Sequence, residues 1–122
     1  MVGVSILNYV NYEDTIGAVE NLSTQAWFDK IKVYVVDNGS NNQSVAKLKE
    51  LQKKVSFTLI EADKNLGHFK GANLAIRRAR LEGCEFVMEL DSDARMVVSA
   101  ASSFPFFNDW AAFTTSARML SR

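Results

Sequence analysis

The run Lys32-Val33-Tyr34-Val35-Val36-Asp37-Asn38-Gly39-Ser40 starts as a β-branched, apolar strand pattern, reaches a carboxylate and breaks at a glycine. Val2 to Leu7, Val55 to Ile60 and Glu85 to Leu90 share its character, each bounded by polar or Gly-containing stretches. The intervals between these four strands carry helical spacing. In the first, Asp14 is placed to cap a helix with Ile16, Val19, Leu22 and Ala26 on its apolar side and Trp27 packing at its end. In the second, Val45, Leu48 and Leu51 face one way behind Ser40 or Asn42 as cap, with Lys47, Lys49, Lys53 and Lys54 outward. In the third, Phe69, Ala72, Ile76 and Ala79 share a face, Arg77, Arg78 and Arg80 point to water, and Gly83 ends the helix. Strands that alternate with helices pair in parallel through right-handed crossovers, so the expected fold is α/β, a doubly wound and mostly parallel sheet.

Such sheets bind ligands beyond the carboxyl ends of their strands. Asn8, Asp37 and Asp91 follow strands one, two and four, and strand three runs into Glu61, Asp63 and Asn65. All four ends therefore deliver Asn or carboxylate to one edge.

Composition limits what that edge serves. With 122 residues, 48% hydrophobic and 23% charged, the chain has room for one domain. Fourteen basic residues balance fourteen acidic ones, which argues against a nucleic-acid binder or a polybasic membrane adaptor. One cysteine, Cys84, excludes an internal disulfide and a cysteine-based metal cluster, and fits a reducing compartment. The first residues lack a basic signal-peptide start, and no window approaches the roughly 20 apolar residues of a membrane span. A soluble, cytoplasmic protein is the expectation. The charges are uneven, however. Residues 1–93 hold thirteen acids and eleven bases, whereas residues 94–122 hold one acid and three arginines, no Lys and no Gly, and carry Phe104, Phe106, Phe107, Trp110 and Phe113. The division expected is a body over 1–93 and an atypical aromatic, Ala/Ser-rich tail over 94–122.

Three segments could carry chemistry. In Glu89-Leu90-Asp91-Ser92-Asp93 a strand ends in two carboxylates spaced by one residue, able to share a hard cation such as Mg²⁺ or Mn²⁺ that also binds phosphate oxygens. The plain alternative is a solvated turn. In Val35-Val36-Asp37-Asn38-Gly39-Ser40 the carboxylate can accept from a nucleobase or ribose, or the segment is an ordinary βα turn. In Asn65-Leu66-Gly67-His68-Phe69-Lys70-Gly71-Ala72-Asn73, two glycines at a helix start could present N–H groups to a diphosphate, or simply let the helix pack close to the sheet. This segment is neither a P-loop nor the three-glycine dinucleotide fingerprint. His68 could meet phosphate or carry a proton, though a partly buried packing role is favoured, and Cys84 reads as a small buried apolar residue.

Taken in order, Val4-Ser5-Ile6-Leu7-Asn8-Tyr9, the 35–40 segment, Asn65-Leu66-Gly67 through Gly71-Ala72-Asn73, and Leu90-Asp91-Ser92-Asp93 resemble the signature of family 2 glycosyltransferases with the GT-A fold. The resemblance covers residues 2–93, the nucleotide-sugar-binding half of that fold, and implies a sheet in the order 3-2-1-4. It implies that Asn8 and Asp37 line the nucleobase and ribose site, and that Asn65, Gly67, Gly71 and Asn73 flank the nucleotide. The Asp91-Ser92-Asp93 triplet corresponds to the family's DXD motif, with Asp93 as direct ligand of Mn²⁺ or Mg²⁺ and Asp91 toward ribose or metal. The implied reaction is metal-assisted, inverting transfer of a sugar from a nucleoside-diphosphate sugar, a UDP-sugar being favoured, to a saccharide or lipid-linked acceptor hydroxyl. No catalytic residue is assigned, because the family's general base belongs to the second half of the domain. Two positions depart from the pattern: Asn42 stands where an acidic residue is frequent, and the sole acid after Asp93 is Asp109, to which the base is not carried over. The expectation is a truncated, weakly active or inactive glycosyltransferase, cut near Ala94.

The competing reading is a non-catalytic nucleotide-sugar-binding or interaction module. In it the open sheet edge beside Asp91, or the aromatic tail, joins two copies or meets a partner. A tail lying on a membrane periphery through Arg95, Arg118 and Arg122 is a weaker variant. A receiver domain is set aside, since Asn8 replaces its first acidic position and the tail has no Lys.

Overall fold

The computed structural model describes residues 1–96. Its elements run β1 (Val2–Asn8), α1 (Tyr12–Ser23), a short 3-10 turn (Phe28–Lys30), β2 (Ile31–Asp37), α2 (Ser44–Leu51), β3 (Thr58–Glu61), α3 (His68–Leu81) and β4 (Phe86–Leu90). The four strands form one sheet in the order β3-β2-β1-β4, and every pairing is parallel. The expected α/β architecture and strand order are both present.

Alternation along the strands divides the core into two layers. On one face Val2, Val4, Ile6, Val33, Val35, Met88 and Leu90 pack against Ala18, Val19 and Leu22 of α1 and Leu48 and Leu51 of α2, with Trp27 buried beside them. On the other, Tyr34 and Val36 meet Ala75 and Ala79 of α3. Helices on both faces explain why the central strands are apolar at consecutive positions. Full burial of side chains such as Leu22 and Leu48 is worth about 1.5–3 kcal/mol each.

The face of α3 differs from expectation. Gly71, Ala72, Ala75 and Ala79 point inward, and Phe69 is 81% exposed. The cause is the close approach of helix and sheet: a β-carbon on Gly3 would stand 3.2 Å from that of Ala79, and one on Gly71 would stand 2.8 Å from Leu7 Cδ1. Only small side chains fit that seam, so residue size rather than hydrophobicity selects the buried face. Helix starts differ too. Asn11, not Asp14, occupies the cap position of α1, with its Nδ2 donating to Asp14 Oδ2 at 2.7 Å; α2 begins after Gln43, with Asn42 Oδ1 accepting from Ser44 N–H at 2.8 Å. Ala26 lies beyond α1 and is exposed. Gly83, at φ +89°, follows α3 as expected.

The core runs past Asp93, since Ala94 is 0% and Met96 3% exposed within the α1 layer. The expected tail beyond residue 96, its aromatic cluster, Asp109, and the copy-joining or partner-meeting roles considered for it lie outside the described residues. Among the described residues no helix is long and apolar enough to cross a membrane.

Candidate functional site

Parallel pairing of β1 with β2 sets Asn8 opposite Asp37 at the carboxyl edge of the sheet. Both are buried, Asn8 at 0% and Asp37 at 2% exposure. Asn8 Nδ2 donates to Asp37 Oδ1 at 2.8 Å and to Ser40 Oγ at 3.3 Å, and Asn8 Oδ1 accepts from Thr15 Oγ1 at 2.6 Å. The Ser40 hydroxyl donates to Asp37 Oδ1 at 2.5 Å and accepts from Val10 N–H at 2.8 Å, while Ser40 N–H donates to Asp37 Oδ2 at 3.2 Å. Asn8 and Ser40 thus spend their donors internally. Of the two Asp37 carboxylate oxygens, Oδ2 receives only one long bond and so keeps the greater accepting capacity.

The hub also fixes the backbone beside it. Val10 has φ +66°, a costly conformation for a β-branched residue, and it is held from both sides: its N–H by Ser40, its carbonyl by Asn42 Nδ2 at 2.9 Å. Asn42 therefore acts on the backbone of the β1 turn, and Val10 and Tyr9 stay exposed at the rim.

A second network ties the end of β2 to the segment before α3. Asn38, itself buried, donates through Nδ2 to Asn65 Oδ1 at 3.0 Å and Gly67 O at 3.3 Å and accepts Leu66 N–H at 3.0 Å; Asn65 Oδ1 also accepts Gly67 N–H at 2.8 Å. Gly39, at φ +70°, lies so close to Lys64 and Asn65 that a β-carbon would overlap their backbone. Asn65 and Gly67 are thereby placed at the same edge as Asp37. Gly71 is buried in the helix–sheet seam, and Asn73 sits exposed on the second turn of α3, outside both networks.

β4 delivers the third part. Its pairing with β1 ends at Ile6 opposite Leu90, and the next residues, Asp91 and Asp93, are exposed. Neither carboxylate has a hydrogen-bond or ion-pair partner among the described residues. Both line a cavity of about 390 Å³ together with Asp14, His68, Glu89 and Ser92. His68 is exposed rather than packed, because the first turn of α3 stands at the open edge; its Nε2 meets Glu89 Oε1 at 2.6 Å and its ring lies edge-on to Phe69. No group of three or more His, Cys, Asp or Glu among the described residues is arranged to hold a metal ion. Two free hard-oxygen ligands would suit a divalent cation that took its other ligands from water and phosphate oxygens, as Mg²⁺ on a nucleotide does.

Several members of the site escape a reading by motif. Thr15 closes the Asn8 side of the hub, and its signal in the sequence is a polar residue at the inward spacing Thr15, Ala18, Val19, Leu22. Asn38 stands inside the second motif, but its contacts lie 27 to 29 residues away. Glu89 pairs with His68 across 21 residues of chain.

The sequence matches the family described as Glycosyl transferase family 2 over residues 3–97. No curated protein sequence matches the chain. Among solved structures, the mannosyltransferase PcManGT from Pyrobaculum calidifontis, in complex with GDP-Man and Mn²⁺, is 27% identical with a TM-score of 0.67, covering 80% of this chain and 28% of that one. S. aureus TarS 1-349 in complex with UDP is 26% identical with a TM-score of 0.68, covering 93% and 32%. TarS 1-349 in complex with UDP-GlcNAc gives 26%, 0.68, 93% and 31%. The chain spans about a third or less of the length of these structures.

Proposed function

The chain belongs to glycosyl transferase family 2, and from that premise we propose that its sheet edge binds the nucleoside diphosphate of a sugar donor, with a divalent cation at Asp91 and Asp93. The observation that carries this reading is the meeting, at one edge, of a buried acceptor hub around Asp37 and two exposed carboxylates without partners at the end of β4. Asp37 Oδ2 accepts from the nucleobase or ribose. Asn8 and Ser40, enclosed behind it, hold the carboxylate in place and do not touch the ligand. Asn65 and Gly67, set by Asn38, flank the nucleotide; Gly71 contributes by admitting close packing of α3, and Asn73 stands exposed on the next turn of that helix. GDP-Man, UDP and UDP-GlcNAc in the neighbouring structures support the nucleotide-sugar class, and the Mn²⁺ of PcManGT supports the cation. A UDP-sugar is the favoured donor.

When bound, a divalent cation neutralises charge on the leaving diphosphate. The chain's part is to bring two carboxylates to the diphosphate end of the site and to orient the base and ribose at the other. The chemistry proposed is inverting displacement at the anomeric carbon by an acceptor hydroxyl of a saccharide or lipid-linked molecule, in the cytoplasm. No residue of 1–96 is assigned as the general base that takes the acceptor proton. For the 122-residue chain itself we therefore expect donor binding with little or no transfer. Incubation with UDP-GlcNAc, UDP-glucose and GDP-mannose, following release of UDP or GDP, tests this. Slow, Mn²⁺-dependent release abolished by Asp93→Ala supports a transferase site. Binding with no release in any arm fits an inactive transferase half and the non-catalytic module equally, and no binding of any donor contradicts both.

A further inference from the structure

The Asp91-Ser92-Asp93 turn is closed by Ala94 N–H donating to Asp91 O at 2.9 Å, and β4 has already left the sheet at Leu90. Its downstream end is held instead by α1. Asn21 Oδ1 accepts Met96 N–H at 2.5 Å, and Asn21 Nδ2 donates to Met96 O at 3.2 Å, so a single side-chain amide pairs with both backbone groups of Met96 as a neighbouring strand would. Gln25 Nε2 adds a donor to the same carbonyl at 3.4 Å. Between turn and clamp, Arg95 Nη1 donates to Ser92 O at 3.2 Å and Ala94 O at 2.7 Å. The guanidinium lies over Gly17, where a β-carbon would overlap it. Glycine is a poor residue inside a helix, and here its missing side chain is the space Arg95 occupies.

We propose that Asn21, seconded by Gly17, is a positioning residue for the metal-binding carboxylates: α1 fixes where Asp91 and Asp93 stand through the clamp on Met96 and the seat of Arg95. The proposal rests on the cation reading above. Asn21 touches neither donor nor cation, and its effect runs through the backbone of residues 91–96.

The test uses the full chain and two readouts: amide hydrogen exchange without metal, and UDP affinity by calorimetry with and without Mn²⁺. Asn21→Ala is expected to speed exchange at Met96 and Ala94 at least tenfold and to cut the Mn²⁺-dependent gain in UDP affinity at least fivefold. Metal-free UDP affinity and exchange in β1 and β2 stay as in the wild type. Asn21→Asp keeps the Met96 acceptor and is expected to retain most of the protection. Gly17→Ala, which leaves Asn21 intact and favours the helix, is expected to weaken the Mn²⁺ gain by displacing Arg95. A wild-type Mn²⁺ gain that survives Asn21→Ala undiminished, or unchanged Met96 exchange, overturns the proposal while leaving the cation reading standing. A wild-type protein with no Mn²⁺ gain overturns the cation reading and the positioning role with it, even where Met96 exchange responds to Asn21→Ala.

Discussion

Asn8 Nδ2 donates to Asp37 Oδ1 at 2.8 Å across the last register pair of β1 and β2, where both residues are buried. A charged or polar group placed so deeply is tolerated because its hydrogen bonds are made, and removing one partner strands the other. Asn8→Ala takes one donor from Asp37 and leaves Thr15 without the Asn8 acceptor. It is expected to destabilise the protein by about 2 kcal/mol. At roughly 4–8 °C per kcal/mol for a domain of this size, thermal denaturation followed by circular dichroism reads the loss directly. A melting temperature within a degree of wild type would strip the hub of its structural role.

Asn38 carries the second network, and its removal acts on a different property. With Asn38→Ala, Asn65, Leu66 and Gly67 lose the contacts that place them beside Asp37. UDP affinity is expected to fall about tenfold, equivalent to about 1.4 kcal/mol, with the ratio between affinities measured with and without Mn²⁺ unchanged. Titration calorimetry under both conditions checks it.

Two glycines with positive φ separate backbone strain from contact. Gly67, at φ +84°, has nothing within 4 Å of where a β-carbon would stand, whereas Gly39 faces the Lys64–Asn65 backbone. Gly67→Ala is expected to cost about 1–3 kcal/mol from strain alone. Gly39→Ala costs more, because backbone cannot move aside as a flexible side-chain end can. Urea midpoints of the two variants, compared at constant m-value, provide the test. Equal midpoints would refute the distinction.

Tyr34 gives a pH dependence far from the site. Burial, then the hydrogen bond from its hydroxyl to Glu82 Oε1 at 2.7 Å, raise its pKa well above the ordinary phenol value of about 10. The unfolded chain ionises first as pH rises, so Tyr34's contribution to stability is whole below pH ~10 and declines above it. Urea unfolding at several pH values between about 8 and 11.5 should show an alkaline decline in the wild type that is shallower in Tyr34→Phe. Parallel curves for the two proteins would refute the assignment.

Much of the fold is legible in the sequence because β1, β2 and β4 are dense β-branched or apolar runs that end in the residues lining the edge. β3 is shorter than the pattern Val55 to Ile60 suggests. Pairing begins at Tyr34 opposite Thr58, and the Phe57 carbonyl is taken by Gln52 Nε2 at 2.9 Å. The inward face of α3 is hidden from hydrophobic periodicity because the narrow seam at Gly3 and Gly71 selects alanine over Phe69. Within the site, Asp37, Asn65 and Asp91 announce themselves by standing at or shortly beyond strand ends. Thr15 and Asn21 do not, since their partners are set by how α1 lies on the sheet; Asn21 and Met96 are 75 residues apart.

The function proposed for this edge turns on whether Asp91 and Asp93 join a divalent cation to a nucleoside diphosphate held beside Asp37. Calorimetric titration of UDP into the wild type and Asp93→Ala, each with and without Mn²⁺, is the decisive experiment. Tighter binding with Mn²⁺ is expected in the wild type, and no Mn²⁺ gain in Asp93→Ala, whose metal-free affinity stays unchanged. UDP binding indifferent to Mn²⁺, or a Mn²⁺ gain that persists in Asp93→Ala, would overturn the cation site.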